Sequence, residues 1–264
     1  MPRTNLFKSP HFLATISELS PASDRIWLLG SGLGLGFTLI AAFFFPYGSS
    51  PSGKFWAYAS LLIRASLYLH AKDGLKNRGG WVLYRLFLMG LVAGLFELLV
   101  DWGLVHWVQN GKLVYLTGND VVLLGSPIWM PLAWACVIVE MGYPALRLFG
   151  WLRGRCGDTS AKTGASLFVA MLAGLTVGAY EYLAFRAGWW KYEAAHAMIG
   201  KYCALFIPVG EFLMFLPILP IAASVLSEEE KPLGTAIRGG ALFAACIALG
   251  YTLAYGILEY GRIP

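Results

Sequence analysis

The chain has 264 residues, 58% of them hydrophobic and only 13% charged, roughly half the charged share of an ordinary soluble domain. That composition excludes a soluble globular protein, and the net charge of +5 does not point to nucleic acid, because Lys and Arg never gather into a basic domain. The expected fold is all-α, an integral membrane bundle of about seven transmembrane helices forming a single transmembrane domain over 1–264.

Residues 1–25 read as a cytoplasmic or interfacial segment, in which Leu6, Phe7, Phe12, Leu13, Ile16 and Leu19 suit a short helix lying on the membrane surface. No run of small residues marks a cleavage site there, so a removed signal peptide is not expected. Apolar windows long enough to span a bilayer follow near 26–46, 55–71, 81–107, 121–142, 164–187, 203–226 and 235–258. The first carries Gly30, Gly32, Gly34 and Gly36, a pattern for close helix packing. Basic residues concentrate before the first window (Arg3, Lys8, Arg25), after the second (Lys72, Lys76, Arg78), between the fourth and fifth (Arg147, Arg153, Arg155, Lys162) and between the sixth and seventh (Lys231, Arg238). The positive-inside rule then puts the N-terminus in the cytoplasm and the C-terminus outside, in a cytoplasmic (inner) membrane. Cys136, Cys156, Cys203 and Cys246 lack metal or redox spacing and read as packing residues. His70, His106 and His196 stand apart from one another, so no metal is expected.

Two stretches, 81–142 and 164–226, look like tandem parallel repeats. Gly94-Leu95-Phe96-Glu97 parallels Gly178-Ala179-Tyr180-Glu181, a Trp-rich span end follows each, and helices starting from Pro127 and Pro208 come next. This alignment makes Glu97 and Glu181 equivalent, facing one central cavity.

Ionisable side chains inside spans are functional candidates, because each is costly at membrane depth unless it has a partner or a task. With the orientation above, Glu97, Asp101, Glu181, Glu211, Arg186 and Glu259 fall in the outer half of the bundle. Glu97 and Asp101 are one turn apart on a shared helix face. Two carboxyls that close favour one of them staying protonated, and a protonated acid in an apolar site is a proton donor. Glu97, Asp101, Glu181 and Glu211 are therefore the catalytic candidates. Arg186 is read either as an ion-pair partner of Glu181 or Asp101 or as part of the binding site. Arg64 is read as a counter-charge to the acids or as structural, and Glu140 as structural. Trp102, Trp107, Tyr115, Trp189, Trp190 and Tyr192 gather at the outer ends. There they form an interfacial belt or, collectively, a set of π-faces able to stabilise a cation. Acids and rings together suit reactions that protonate an alkene and pass through a carbocation.

At Trp190-Lys191-Tyr192, Gly200 and Pro208-x-x-Glu211-Phe212-Leu213-x-Phe215 the chain resembles the membrane-embedded lycopene cyclase family, to which carotenoid hydratases and meroterpenoid cyclases are related. The resemblance covers about 85–226 and is specific over 188–215. It implies two tandem three-helix repeats, no nicotinamide or metal cofactor, a lipophilic terpenoid substrate taken from the bilayer, and Glu211 as a site residue. The family motif has a glutamate pair where this chain has Gly210-Glu211, and the matching stretch of the first repeat, Ser126 to Pro131, holds no acid. A terpenoid other than lycopene fits that departure. The expected activity is a terpenoid cyclase. The alternatives are a hydratase or isomerase and, from another class, a small proton-coupled transporter or lipid-binding membrane protein.

Overall fold

A computed structural model describes residue 7 and residues 9–46, 51–75, 78–116, 120–227 and 232–260. The protein is an all-α helical bundle. Its elements run α1 (Pro10–Ser17), α2 (Pro21–Phe44), α3 (Pro51–Gly74), α4 (Arg78–His106), β1 (Lys112–Tyr115), β2 (Val122–Leu123), β3 (Ser126–Pro127), α5 (Met130–Cys156), α6 (Asp158–Arg186), β4 (Trp190–Glu193), β5 (Met198–Ile199), β6 (Cys203–Ala204), α7 (Phe206–Phe215), α8 (Ile218–Leu226) and α9 (Pro232–Leu258). Among the described residues, α2, α4, α5, α6, the α7–α8 pair and α9 are long and apolar enough to cross a membrane. Helix α3 has the length, 24 residues, but a more polar sequence.

Successive long helices alternate in direction, which gives the bundle two ends. Arg25, Lys72, Arg78, Arg147, Arg153, Arg155 and Lys162 collect at the basic end, where α2, α4 and α6 begin, and the short strands lie at the opposite, hairpin end. Arg3, Lys8, Lys76 and Lys231 lie outside the described residues. Helix α1 sits at the basic end with Phe12 fully buried, its ring and that of Phe7 packed on Phe149 of α5. The expected packing role of the glycine run holds for two of its members. Gly30 and Gly34 let Tyr68 and Arg64 of α3 lie against α2, whereas Gly32 and Gly36 face open space.

Two of the expected spans differ from their apolar windows. The stretch from 121 is a hairpin, β2–β3, turned at Leu124 and Gly125 with φ of 53° and 87°, the pair of positive angles that a tight two-residue hairpin needs. Helix α5 starts only at Met130 and continues past 142 to Cys156 despite Pro144. Pro144 has no N–H for the carbonyl of Glu140 one turn back. The Trp27 indole of α2 donates to that carbonyl instead, at 3.2 Å. A single residue, Gly157 with φ 76°, then reverses the chain into α6. The pass that follows α6 is broken into α7 and α8 around Pro217, which likewise cannot continue the helical ladder.

The stretches α4–β1–β2–β3–α5 and α6–β4–β5–β6–α7 follow the same order of elements, and α4 and α6 each contain 29 residues. Strands β1 and β4 pair antiparallel with each other, so the two stretches meet at the hairpin end.

Candidate functional site

The β1–β4 ribbon closes the hairpin end of the bundle. Side chains alternate across a strand, and here Leu113, Tyr115, Trp190 and Tyr192 take the inner face while Lys112, Lys191 and Glu193 face outward. Lys191 and Glu193 satisfy each other outside at 2.6 Å. The inner face meets the acids of the helices beneath it. Trp190 Nε1 donates to Glu181 Oε2 at 2.5 Å and the Tyr192 hydroxyl to Glu181 Oε1 at 3.4 Å. The Tyr115 hydroxyl donates to Asp101 Oδ2, which also accepts from Ser126 Oγ of β3 at 2.8 Å. Each half of the ribbon thus returns a tyrosine to an acid on the helix that precedes it.

Laid end to end, α4 and α6 put Asp101, not Glu97, at the position of Glu181. Likewise Pro131, one residue into α5, corresponds better to Pro208 than Pro127 does, since Pro127 lies in the β3 strand. Trp134 then stands in the first stretch where Glu211 stands in the second. Trp134 lies beside Glu97.

Glu97, Asp101, Glu181 and Glu211 are all buried, with exposures of 2%, 4%, 5% and 9%. They share one region: Glu97 feels Asp101 and Glu211, and Glu181 feels Glu211 and Asp101. Their donors differ. Glu211 accepts from the Tyr251 hydroxyl of α9 at 2.9 Å, and Glu97 Oε2 is buried with no hydrogen-bond partner. None of the four forms an ion pair among the described residues. The rings around them form a continuous wall, in which Trp190 contacts Tyr115, Tyr180, Trp129 and Trp189 at centroid distances of 6.0–6.3 Å.

Gly210 has a steric reason. A Cβ there would fall 2.3 Å from the Tyr251 ring, so the residue that departs from the glutamate pair makes the room through which Tyr251 reaches Glu211. Outside the helices, burial and then the Asp101 and Glu97 carboxyls push the Tyr115 phenol well above its ordinary range, and burial and then Glu181 do the same to Tyr192. Burial, followed by Glu181 and Glu211, also raises the Cys203 thiol.

Several expected residues belong elsewhere. Arg64 is not a counter-charge to the acid cluster: it pairs with Glu140 at 2.7 Å, and Tyr68 donates to the same carboxylate at 3.4 Å. Arg186 turns toward α2, where its guanidinium reaches the Ala42 carbonyl and lies over the Phe43 ring, with the ring of Tyr182 from its own helix also near the charge. Trp107 is 72% exposed, and Trp102 packs against it and against His106, as an interfacial belt does. Glu259 accepts from the backbone N–H groups of His196 and Ala197 and anchors the loop that precedes β5. Cys136 and Cys203 are buried, but Cys156 is exposed and has no packing role. Ser126, Trp129, Trp134 and Tyr251 are members of the site that sequence patterns did not single out, because neutral residues in apolar stretches carry no cost signal.

A family model described as a domain of unknown function, DUF6989, matches residues 98–258. The chain belongs to that family. The matched region takes in Asp101, Glu181, Glu211 and both halves of the ribbon, and it begins one residue after Glu97. No curated protein matches the chain, and no solved structure does.

Proposed function

We propose that this DUF6989 protein is a membrane-embedded terpenoid cyclase that begins its reaction by protonating a double bond of a prenyl- or carotenoid-derived substrate. The observation that carries the reading is the meeting of Glu97, Asp101, Glu181 and Glu211 in one buried region, with neutral donors and no cation paired to them among the described residues. Charge balance in so apolar a site requires protons, since several unpaired carboxylates at close range repel and are poorly solvated. An acid cluster walled by indole and phenol rings also supplies what the next step needs, because π-faces attract a cation by about 0.5–2 kcal/mol each.

The hydrogen bonds divide the roles. Asp101 and Glu181 each accept two donors, an arrangement suited to a proton acceptor. Glu97 Oε2 accepts none and is the oxygen that carries the reacting proton. In the first step its O–H bond breaks, a C–H bond forms at the less substituted alkene carbon, and the π pair leaves a tertiary cation. A second double bond attacks that cation and closes a ring. Asp101 then removes a proton from the carbon next to the new cation, restoring an alkene without change of mass.

Membranes containing the protein test this by conversion of prenylated or carotenoid hydrocarbons, read by product mass. An isomeric product that disappears with Glu97→Gln, Asp101→Asn and Glu211→Gln supports the reading, and a product heavier by one water points to a hydratase. Unchanged turnover in all three variants removes the acid mechanism.

On the positive-inside rule, we assign the basic end to the cytoplasmic side of a cytoplasmic (inner) membrane. Cys156 is exposed at that end. A membrane-impermeant maleimide should therefore label it in inverted vesicles and not in intact cells; the reverse pattern would invert the topology.

A further inference from the structure

At the basic end, remote from the acid cluster, α1, α2, α5 and α6 border an open cavity of about 1070 Å³, just above the roughly 300–1,000 Å³ of small-molecule sites. Its walls have two characters. Leu28 and Phe168 are apolar and more than half exposed on the outer surface of α2 and α6, so one side opens toward lipid. Arg147 and Arg153 line the other side, toward the basic end of α5.

The two arginines are held in place without being used up. Arg147 donates to Asp24 at 2.6 Å and to the Leu19 carbonyl at 3.0 Å. Arg153 commits only Nε, to Asp158 at 2.6 Å, so its terminal amino groups have no partner among the described residues. A guanidinium fixed at Nε presents its outer N–H groups as a fork, the geometry that grips two oxygens of a phosphate. Asp24 and Asp158 balance Arg147 and Arg153, and Arg155, stacked on the wall residue Trp151 at 3.8 Å from its ring, adds a positive charge beside them.

We propose that this cavity binds an anionic phospholipid of the adjoining leaflet, its phosphate on the Arg153 fork beside Arg147 and its acyl chains along Leu28 and Phe168. The site is separate from the acid cluster, and its occupancy does not depend on what that cluster catalyses. An exposed apolar wall on one side and an arginine rim at the basic end of the bundle on the other match a lipid anion. A soluble anion would gain nothing from the wall.

The test uses the full chain in nanodiscs of neutral phosphatidylcholine, into which brominated phosphatidylglycerol or brominated phosphatidylcholine is titrated. Trp27 and Trp151 line the cavity, and the part of the tryptophan quenching that a Trp27→Phe/Trp151→Phe variant removes reports its occupancy. That part should reach half its maximum at a several-fold lower fraction of the anionic lipid than of the neutral one. Arg153→Gln should abolish the difference, and Arg153→Lys, which keeps the charge and loses the fork, should reduce it. Millimolar inorganic phosphate should leave the signal unchanged; competition by phosphate would show a soluble-anion site and overturn the lipid assignment. Equal quenching by both lipids in the unmodified protein, or a preference untouched in Arg153→Gln and Arg153→Lys, would overturn the site itself.

Discussion

The same bundle treats its carboxyls in two ways. In the middle and at the basic end, helix acids are matched with cations: Glu140 has Arg64, Asp24 has Arg147 and Asp158 has Arg153, at 2.6–2.7 Å. At the hairpin end, Glu97, Asp101, Glu181 and Glu211 are more deeply buried than any of those and receive only phenol, indole and hydroxyl donors. A chain that can place an arginine beside Glu140 had the means to neutralise the cluster and did not. The contrast separates acids paired with cations from acids that the proposed function requires to exchange protons.

The sharpest way to break that contrast is to neutralise one acid of each kind. Glu140→Gln strips the partner from Arg64, whose side chain is 9% exposed, and leaving a buried charge uncompensated costs about 3–5 kcal/mol. Glu181→Gln leaves no orphan cation and keeps a carbonyl for Trp190, so its loss should stay near ~1 kcal/mol, the scale of one weakened hydrogen bond. Reversible unfolding in detergent compares the two. Equal losses would mean that the cluster is as structural as the Arg64 pair.

Within the cluster, the two halves of the ribbon should also differ. Asp101 holds both Tyr115 and Ser126, so Tyr115→Phe removes one of its two donors, a loss of about 1.5–3 kcal/mol for a bond to a charged acceptor. Tyr192 lies 3.4 Å from Glu181, which already has Trp190 at 2.5 Å. Tyr192→Phe should cost about 1 kcal/mol or less. The same unfolding measurement ranks them, and a larger loss for Tyr192 would reverse the assignment of the stronger tether.

The cluster's four acids were legible because an ionisable residue in an apolar run stands out against its neighbours. Their convergence was legible only as an expectation from topology. The short strands of the hairpin end were not: Val121 to Leu124 and Ile128, in and around the β2–β3 hairpin, are as apolar as any span, and strands of two to four residues are too short to impose an alternating pattern. Reading them as helix moves the start of the fourth span. The pairing of Glu97 with Glu181 rests instead on the short Gly-x-x-Glu likeness of 94–97 and 178–181, where element order pairs Asp101 with Glu181. Arg64 was visible as a buried charge, but its partner lies on another helix, and nothing local in the sequence links it to Glu140 rather than to the acids. The exposed Trp107 and the buried Trp190 have the same residue type and both follow the end of a long helix; only the fold decides which one turns inward.

The ribbon's phenols give a pH signature. Because the folded values of Tyr115 and Tyr192 lie well above the ordinary phenol value, the stability gained by keeping them neutral is complete below about pH 10 and fades as pH rises through the folded values. In the folded protein both should stay largely unionised at about pH 10, where an ordinary phenol is half ionised. The tyrosinate absorbance developed by that pH should therefore be the same in the Tyr115→Phe/Tyr192→Phe variant. A smaller amplitude in the variant would mean that one of these hydroxyls is open to solvent and that the ribbon does not seal the acids.

The smallest effect tests the structural side of the contrast. Trp27 donates to the Glu140 carbonyl because Pro144 cannot, and the same residue's carboxylate holds Arg64. Trp27→Phe should cost about 1 kcal/mol by leaving a part-buried carbonyl unpaired. Pro144→Ala restores a backbone N–H at the position that bonds this carbonyl in a regular helix. In the Pro144→Ala background the loss from Trp27→Phe should shrink, and the coupling between the two changes measures the indole bond apart from the packing of Trp27 on Tyr143. Additive losses would show that Trp27 contributes through that stacking alone. The proline would then leave the Glu140 carbonyl unserved inside the bundle, and the tight provision for structural polar groups that sets this region apart from the acid cluster would fail at its centre.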